Sequence, residues 1–156
     1  MNAILIFDKE QTLAFHSGRK TQHRVPLSPQ PKWEAMPNVA DGSASIDEIP
    51  KRLTWSEVGT SPIDPLELVR FCPYGEVGEI IFITANLGFG KTEQLSAKIV
   101  DLSVESLDDI SDEGVIAEGL ENWTQLAYRW DRWHAKRGFP WETNPISWKF
   151  VLEKLS

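Results

Sequence analysis

A basic segment near the start of the chain holds residue types from which a ligand site could be built. Residues 18–24 read GRKTQHR. In an extended conformation Thr21 and His23 point to one face of this segment, and Lys20 and Gln22 point to the other. Ammonium groups bind phosphate, whereas amide, hydroxyl and imidazole groups can hydrogen-bond to a base. The segment therefore indicates a site for a polar ligand.

The charge of the chain is unevenly distributed. Residues 1–32 carry a net +3, so the remaining residues carry −10 of the total of −7. Proteins that wrap duplex DNA are usually basic, because they neutralise its phosphates. We therefore expect no duplex DNA as partner. A small basic patch on an otherwise acidic protein favours one nucleotide or a short single strand as the ligand. The cationic contacts would come from Arg19, Lys20 and Arg24, unless these are only solvated surface charges.

Residues 85–92, which read ANLGFGKT, fit the permissive form of a phosphate-binding loop. That motif works only where a helix begins at the Lys-Thr pair, so that backbone N–H groups face the phosphates. The following residues 93–104 have the pattern of a strand instead. We therefore interpret residues 85–92 as the glycine-containing turn of a β-hairpin.

The chain offers few residues for metal or nucleophilic chemistry. His16, His23 and His134 are scattered, without the spacing of a metal-ligand pair. The one cysteine, Cys72, precedes a Pro-Tyr-Gly turn and is interpreted as structural. No nucleophile-elbow motif is present, although composition alone does not exclude a Ser/His/Asp triad. We expect neither a metal nor another cofactor.

Length and composition favour a cytoplasmic protein of one domain. The 156 residues suit a single domain over residues 1–156. The apolar runs are only a few residues long, whereas a membrane helix needs about 20 apolar residues. We expect no signal peptide, because no basic region is followed by a longer apolar one.

Hydrophobic spacing predicts short strands and few helices. Strands are expected at 3–7, 78–87, 95–104 and 146–152, with the second and third paired antiparallel. Helices are expected at 9–17, with Leu13 and Ala14 among its inward residues, within 108–119, and at 122–137. The fold class is therefore α+β, with a small antiparallel β-barrel and flanking α-helices.

A proline-rich excursion interrupts this pattern. Eight of the ten prolines lie between Pro26 and Pro73, and no regular hydrophobic period is recognisable there. We expect a long loop at about residues 33–70, with one short helix near residues 65–70, packed by Trp33 and Trp55. Long irregular segments in compact domains are often functional or disordered.

Several blocks in a fixed order resemble the ASCH-domain proteins, a branch of the PUA-like superfamily, and especially the form common in phages and prophages. The blocks are ILIF at 4–7, GRKTQ at 18–22 with Arg24, PQP at 29–31, CPYG at 72–75 with Gly78, LDDIS at 107–111, AEG at 117–119, KRG at 136–138 and NP at 144–145. Each block is weakly specific alone, and the order and spacing carry the resemblance.

The resemblance implies a PUA-like β-barrel with flanking helices and a cleft for RNA or a nucleoside. Some relatives resemble amidohydrolases that remove the acetyl group from the exocyclic amine of acetylcytidine. Their catalytic lysine and glutamate correspond to Lys20 and Glu118, but the position of their threonine is occupied by His23. Thr21 shares the face of His23 and is the alternative hydroxyl, about 6.5–7 Å along the strand.

This departure leaves three functions open. The first is a binding module for a nucleoside, a modified base or short single-stranded RNA, with Arg19, Lys20, Arg24 and Glu118 as ligand contacts. The second is a hydrolase of a linear amide in an acylated cytidine, with Lys20, Thr21 or His23, and Glu118 as catalytic residues. The third is a phage or prophage scaffold that binds a host protein through residues 33–70.

Overall fold

A curled five-stranded sheet and several short helices form the α+β architecture. The computed structural model describes residues 3–35 and 51–155. Its strands are β1 Leu5–Phe7, β2 Gln22–Pro26, β3 Lys32–Ala35, β4 Lys51–Thr54, β5 Ile80–Gly88, β6 Lys91–Ser106 and β7 Ile146–Lys154. Its α-helices are α1 Lys9–His16, α2 Pro65–Leu68, α3 Asp112–Ala117 and α4 Trp123–His134, with short 3-10 turns between some of them.

The main sheet is a half-barrel with strand order β1-β5-β6-β7-β2. Strands β5, β6, β7 and β2 pair antiparallel, as expected, but β1 pairs parallel to β5. The expectation of a purely antiparallel sheet is therefore wrong at this edge. A hairpin cannot produce a parallel pair, and here the long chain between β1 and β5 provides the crossover.

The proline-rich excursion contains regular structure that its sequence did not indicate. Strands β3 and β4 form an antiparallel ribbon in which Lys32 is opposite Thr54. The loop expected over residues 33–70 is thus wrong for these strands, while residues 36–50 lie outside the described part. The prolines follow or precede the strands and do not interrupt them, which leaves the ladder intact. The expected helix near 65–70 is confirmed, and Trp55 is buried whereas Trp33 is 39% exposed.

The glycine-containing segment between β5 and β6 is a hairpin turn, as the sequence indicates. Phe89 and Gly90 both have positive φ, and β6 begins at Lys91. Because no helix starts at this lysine, the N–H groups that would hold phosphates are not presented there.

Helices α1 and α4 cover the sheet near the basic segment. Helix α1 begins at a capping box between Asp8 and Gln11. Its residue Ala14 is buried as expected, but Leu13 is 55% exposed, because the helix turns the face of Ala14 and Phe15 towards the sheet. Helix α4 begins at the expected N-cap, Asn122.

The apolar interior consists of two clusters. The larger one fills the concave side of the sheet and includes Phe7, Ile83, Ile99, Trp148 and Phe150. The smaller one joins α3 and α4 through Leu107, Ile110, Val115, Leu120, Leu126 and Trp130. The end of α3 therefore lies where three parts of the structure meet: the second cluster, helix α1 and the basic segment.

Gly119 permits this close approach and yields a first prediction. Its φ is +91°, and a Cβ at this position would lie 2.8 Å from Ala14 Cβ. We expect Gly119→Ala to lower the free energy of unfolding by about 1–3 kcal/mol more than Gly18→Ala. Gly18 is the matched control, because its φ is +82° and no atom lies within 4 Å of its Cβ position. Urea unfolding of both variants measures the difference, and equal losses would contradict the close contact.

Candidate functional site

The centre of the site is a buried ion pair between Lys20 and Glu118. Lys20 Nζ lies 2.7 Å from Glu118 Oε2, and the two side chains are only 1% and 3% exposed. The ammonium also donates to the carbonyl oxygen of Gln22 at 2.8 Å. These contacts bring together the lysine and the glutamate that the resemblance pairs across 98 positions of sequence.

The backbone holds this pair in place. Lys20 and Glu118 form an isolated antiparallel bridge. The N–H of Lys20 donates to the carbonyl of Ala14 at 3.0 Å, and the N–H of Thr21 donates to the carbonyl of Ala117 at 2.7 Å. The segment between α1 and β2 is thereby fixed to the end of α3, and the side chains at the two ends of the bridge must meet.

Arg24 extends the pair into a network of two cations and two carboxylates. Its Nε donates to Glu105 Oε1 at 2.6 Å, and its Nη1 lies 3.6 Å from Glu118 Oε1. Its Nη2 donates to the side-chain oxygen of Gln22 at 2.9 Å. Since the Arg24 side chain is 1% exposed and neutralised, it positions Glu118 and is not presented to a ligand.

Burial changes the acid–base behaviour of Lys20. Desolvation lowers the pKa of its ammonium from the ordinary value, and Arg24 lowers the pKa further, while Glu118 opposes both effects. An amine with a lowered pKa is easier to deprotonate and can serve as a base. The lysine thus has the property that the acid–base hypothesis requires.

His23 lies beside this pair, on the other side of Phe7. Its ring centroid is 4.9 Å from that of Phe7, and Lys20 Nζ is 5.3 Å from the same phenyl centroid. The imidazole is buried, and its Nδ1 has no hydrogen-bond partner in the described chain. Desolvation, followed by the nearby charge of Lys20, holds the pKa of His23 well below the usual range. The ring is therefore neutral at pH 7.

The remaining expected residues, Arg19 and Thr21, are exposed. The Arg19 Nε donates to Ser17 Oγ at 3.0 Å, and the residue lines a cavity together with Glu118. Thr21 is absent from the linings of the two cavities described below. Its side chain is exposed, whereas that of the adjacent Lys20 is buried.

The first of two adjoining cavities, here called the Glu118 cavity, has a volume of about 250 Å³. Glu10, Arg19, Glu118, Glu121 and Arg129 give it a charged lining. Arg129 is paired with Glu10, so Arg19 is the cation of this lining that forms no ion pair with a described residue. Lys20 is not in the lining, and only Glu118 of the buried pair faces this cavity.

The second, here called the two-histidine cavity, has a volume of about 280 Å³. Its lining includes Phe7, His23, Tyr74, Trp133 and His134. It adjoins the Glu118 cavity, because Gln11 and Trp133 line both.

Sequence reasoning missed His134 and the aromatic residues around it. Trp133 lies within the helix predicted at 122–137, and His134 is one of three scattered histidines. One signal in the sequence could have pointed to His134. It is a polar residue that directly follows Trp133, at the end of a face of α4 that is otherwise apolar. Which cavity that face would line depends on how α4 packs across α1, and helical spacing does not determine this.

The described residues show neither a metal-binding cluster nor a reactive thiol. They contain no group of three or more His, Cys, Asp or Glu side chains that could hold a metal ion. Burial raises the pKa of the Cys72 thiol to about 11, so this residue is not a thiolate nucleophile at pH 7. Among these residues no hydroxyl group hydrogen-bonds to Lys20 Nζ.

No protein-family model, curated protein or solved structure matches this chain. Across residues 3–35 and 51–155, none of the helices combines the length and the apolar character that crossing a membrane requires.

The ion pair generates a prediction about stability. Removal of one partner leaves the other charge buried, so Lys20→Met should lower the free energy of unfolding by about 3–5 kcal/mol. The double variant Lys20→Met/Glu118→Gln should be more stable than Lys20→Met, because Glu118 no longer carries an unpaired charge. Denaturant unfolding of the two single variants and the double variant measures the coupling. Additive losses would show that the two groups do not interact.

The two buried histidines generate a prediction about pH. Burial lowers the pKa of His134 from its ordinary 6.5 to about 4 in the folded protein. Between these values only the unfolded chain binds the proton, so stability is lost as the pH falls from 6.5 towards 4. His134 alone should contribute a loss on the order of 3 kcal/mol over this range.

The pH dependence of urea unfolding tests this effect. His134→Gln should lose less stability than the unmodified protein between pH 7 and about 4.5. Leu66→Gln is the control, since Leu66 is 81% exposed and neither the leucine nor the glutamine side chain titrates. The same pH dependence in His134→Gln as in the unmodified protein would contradict a neutral, buried imidazole.

Proposed function

We propose that the chain is an ASCH-type, PUA-like module that binds a nucleoside, a modified base or short single-stranded RNA beside the Lys20–Glu118 pair. The ordered sequence blocks support this family, and a curled sheet with flanking helices is compatible with its barrel. The function rests on one observation above the others. A buried ion pair is assembled from two distant segments, and its Glu118 lines a cavity that adjoins a second cavity with aromatic rings in its lining.

Each part of this arrangement suits such a ligand. Glu118 lines the first cavity, and although its carboxylate is bonded to Lys20, its two oxygens have further lone pairs that would accept a hydrogen bond from an amino or hydroxyl group of a nucleoside. Arg19 is exposed at the same cavity and can contact a phosphate. Lys20 and Arg24 serve the site indirectly, since their charges are already compensated by Glu118 and Glu105.

The charge distribution favours a small ligand over a duplex. Of the three cations expected to bind phosphate, only Arg19 is exposed. The affinity of proteins for duplex DNA depends on many phosphate contacts. A net charge of −7 and one accessible arginine in the segment instead support a ligand of one or a few nucleotides.

Amidohydrolysis of an acylated nucleoside is the second candidate, and the acid–base pair favours it. Lys20, with its lowered pKa, would act as the base, and Glu118 would protonate the leaving amine. The reaction also needs a nucleophile, and the place of the family threonine is taken by His23. We place binding first, because neither Lys20 nor Thr21 lines either of the two cavities and the Lys20 side chain is only 1% exposed.

Calorimetric titration with cytidine, acetylcytidine and short single-stranded RNA tests the binding proposal. We expect saturable binding of at least one of these ligands, and a loss of about tenfold in affinity for Arg19→Ala or Glu118→Gln. Lys98→Ala is the matched control for charge, because Lys98 is an exposed cation on β6. Circular dichroism verifies that each variant is folded. Flat titrations with all three ligands would overturn the proposal.

Incubation with acetylcytidine separates the two candidates. A binding module releases no acetate above the rate in buffer. Release that disappears in Lys20→Ala and Glu118→Ala would establish the hydrolase instead.

A further inference from the structure

The two-histidine cavity has the size and the lining of a pocket for a single ring system. Its volume of about 280 Å³ lies just below the roughly 300–1,000 Å³ of pockets for drug-sized ligands. Tyr74 and Trp133, which are partly exposed, supply aromatic surface on which a planar ring can stack. A long or branched ligand would not fit inside it.

Two buried imidazoles in this lining lack hydrogen-bond partners. His23 and His134 are 5% and 8% exposed, and the Nδ1 atom of each has no partner in the described chain. Their Nε2 atoms likewise make no hydrogen bond to a described residue. Buried polar atoms are usually paired, and leaving one unpaired costs about 1–3 kcal/mol. Because both Nδ1 atoms are fully buried, a ligand in this cavity would complete the hydrogen bonding of the two imidazoles through their Nε2 atoms.

The carboxylate of Asp8 in this lining is already bonded within the protein, which leaves the imidazoles among the polar groups available to a ligand. Asp8 accepts from the indole N–H of Trp133 at 2.6 Å and from the N–H of Gln11 at 2.8 Å. The lining also contains one carboxylate, Asp8, and one guanidinium, Arg137, and therefore has no excess of either sign. Burial also keeps both imidazoles neutral, so each ring offers one donor and one acceptor. The cavity therefore favours an uncharged ring with both donors and acceptors on its edge.

We propose that the two-histidine cavity is the base-binding subsite, in which an uncharged aromatic heterocycle stacks on Trp133 or Tyr74 and hydrogen-bonds to His23 and His134. The sugar would then extend past Gln11 and Trp133, which the two cavities share, towards Glu118. This inference rests on the proposed function for the identity of the ligand as a nucleoside. The subsite itself rests on the two imidazoles and the aromatic lining.

Nitrogen NMR of the imidazole rings tests the subsite on the unmodified protein. On addition of cytidine, we expect the ring ¹⁵N shifts of both His23 and His134 to change and to saturate together. His16 is the internal control, because it lies outside this cavity, near Glu93, and should not respond. Saturable cytidine binding with no change at His23 and His134 would overturn this inference and leave the proposed function standing.

Variants supply an independent measurement. His134→Phe keeps an aromatic ring but removes both ring nitrogens, and should weaken cytidine binding by about tenfold, whereas His16→Phe should not. If cytidine does not bind, titration with free cytosine and adenine tests whether the two-histidine cavity binds a base without its sugar. Saturable binding of a free base that shifts both histidines would support the subsite although the nucleoside proposal fails. The absence of binding by every probe would overturn both.

Discussion

The structure around the site depends on one constraint: the Lys20 ammonium and the Glu118 carboxylate compensate each other's charge in an interior shielded from solvent. Two ions that are almost fully buried are stable only when each has an opposite charge and further hydrogen bonds. The bridge between the basic segment and the end of α3 supplies that geometry. Arg24 and Glu105 add a second pair, and together the four groups hold β2, β6 and α3 in register.

This constraint explains why the basic residues of the segment differ in whether they can contact a ligand. The charges of Lys20 and Arg24 are compensated by the protein's own carboxylates. Of the three cations in the basic segment, only Arg19 faces solvent. The two cavities flank the sealed pair, one with charged walls and one with aromatic walls. Recognition would therefore take place on surfaces that the ion pair positions. The ammonium itself is not a contact surface, and this is why binding fits the geometry better than catalysis does.

Local patterns predicted most elements of the main sheet and the longest helix, because strand alternation and the Asn122 cap are properties of neighbouring residues. They did not predict the parallel edge strand β1 or the β3–β4 ribbon, since both depend on pairing between distant segments. Leu13 was misplaced because an eight-residue helix gives a weak periodic signal. Lys20 and Glu118 were paired through the resemblance alone, and no local pattern pointed to the cavity that His23 and His134 share.

The most direct test of the central claim is an NMR titration of the Lys20 side chain, followed through its Cε and Nζ resonances. We expect Lys20 to titrate below the ordinary value of about 10.4, because burial lowers its pKa even beside Glu118. We also expect slow exchange of its ammonium protons with water, since the group is sealed. A pKa at the ordinary value together with fast exchange would show that the lysine is solvated, and would contradict the buried pair on which the site depends.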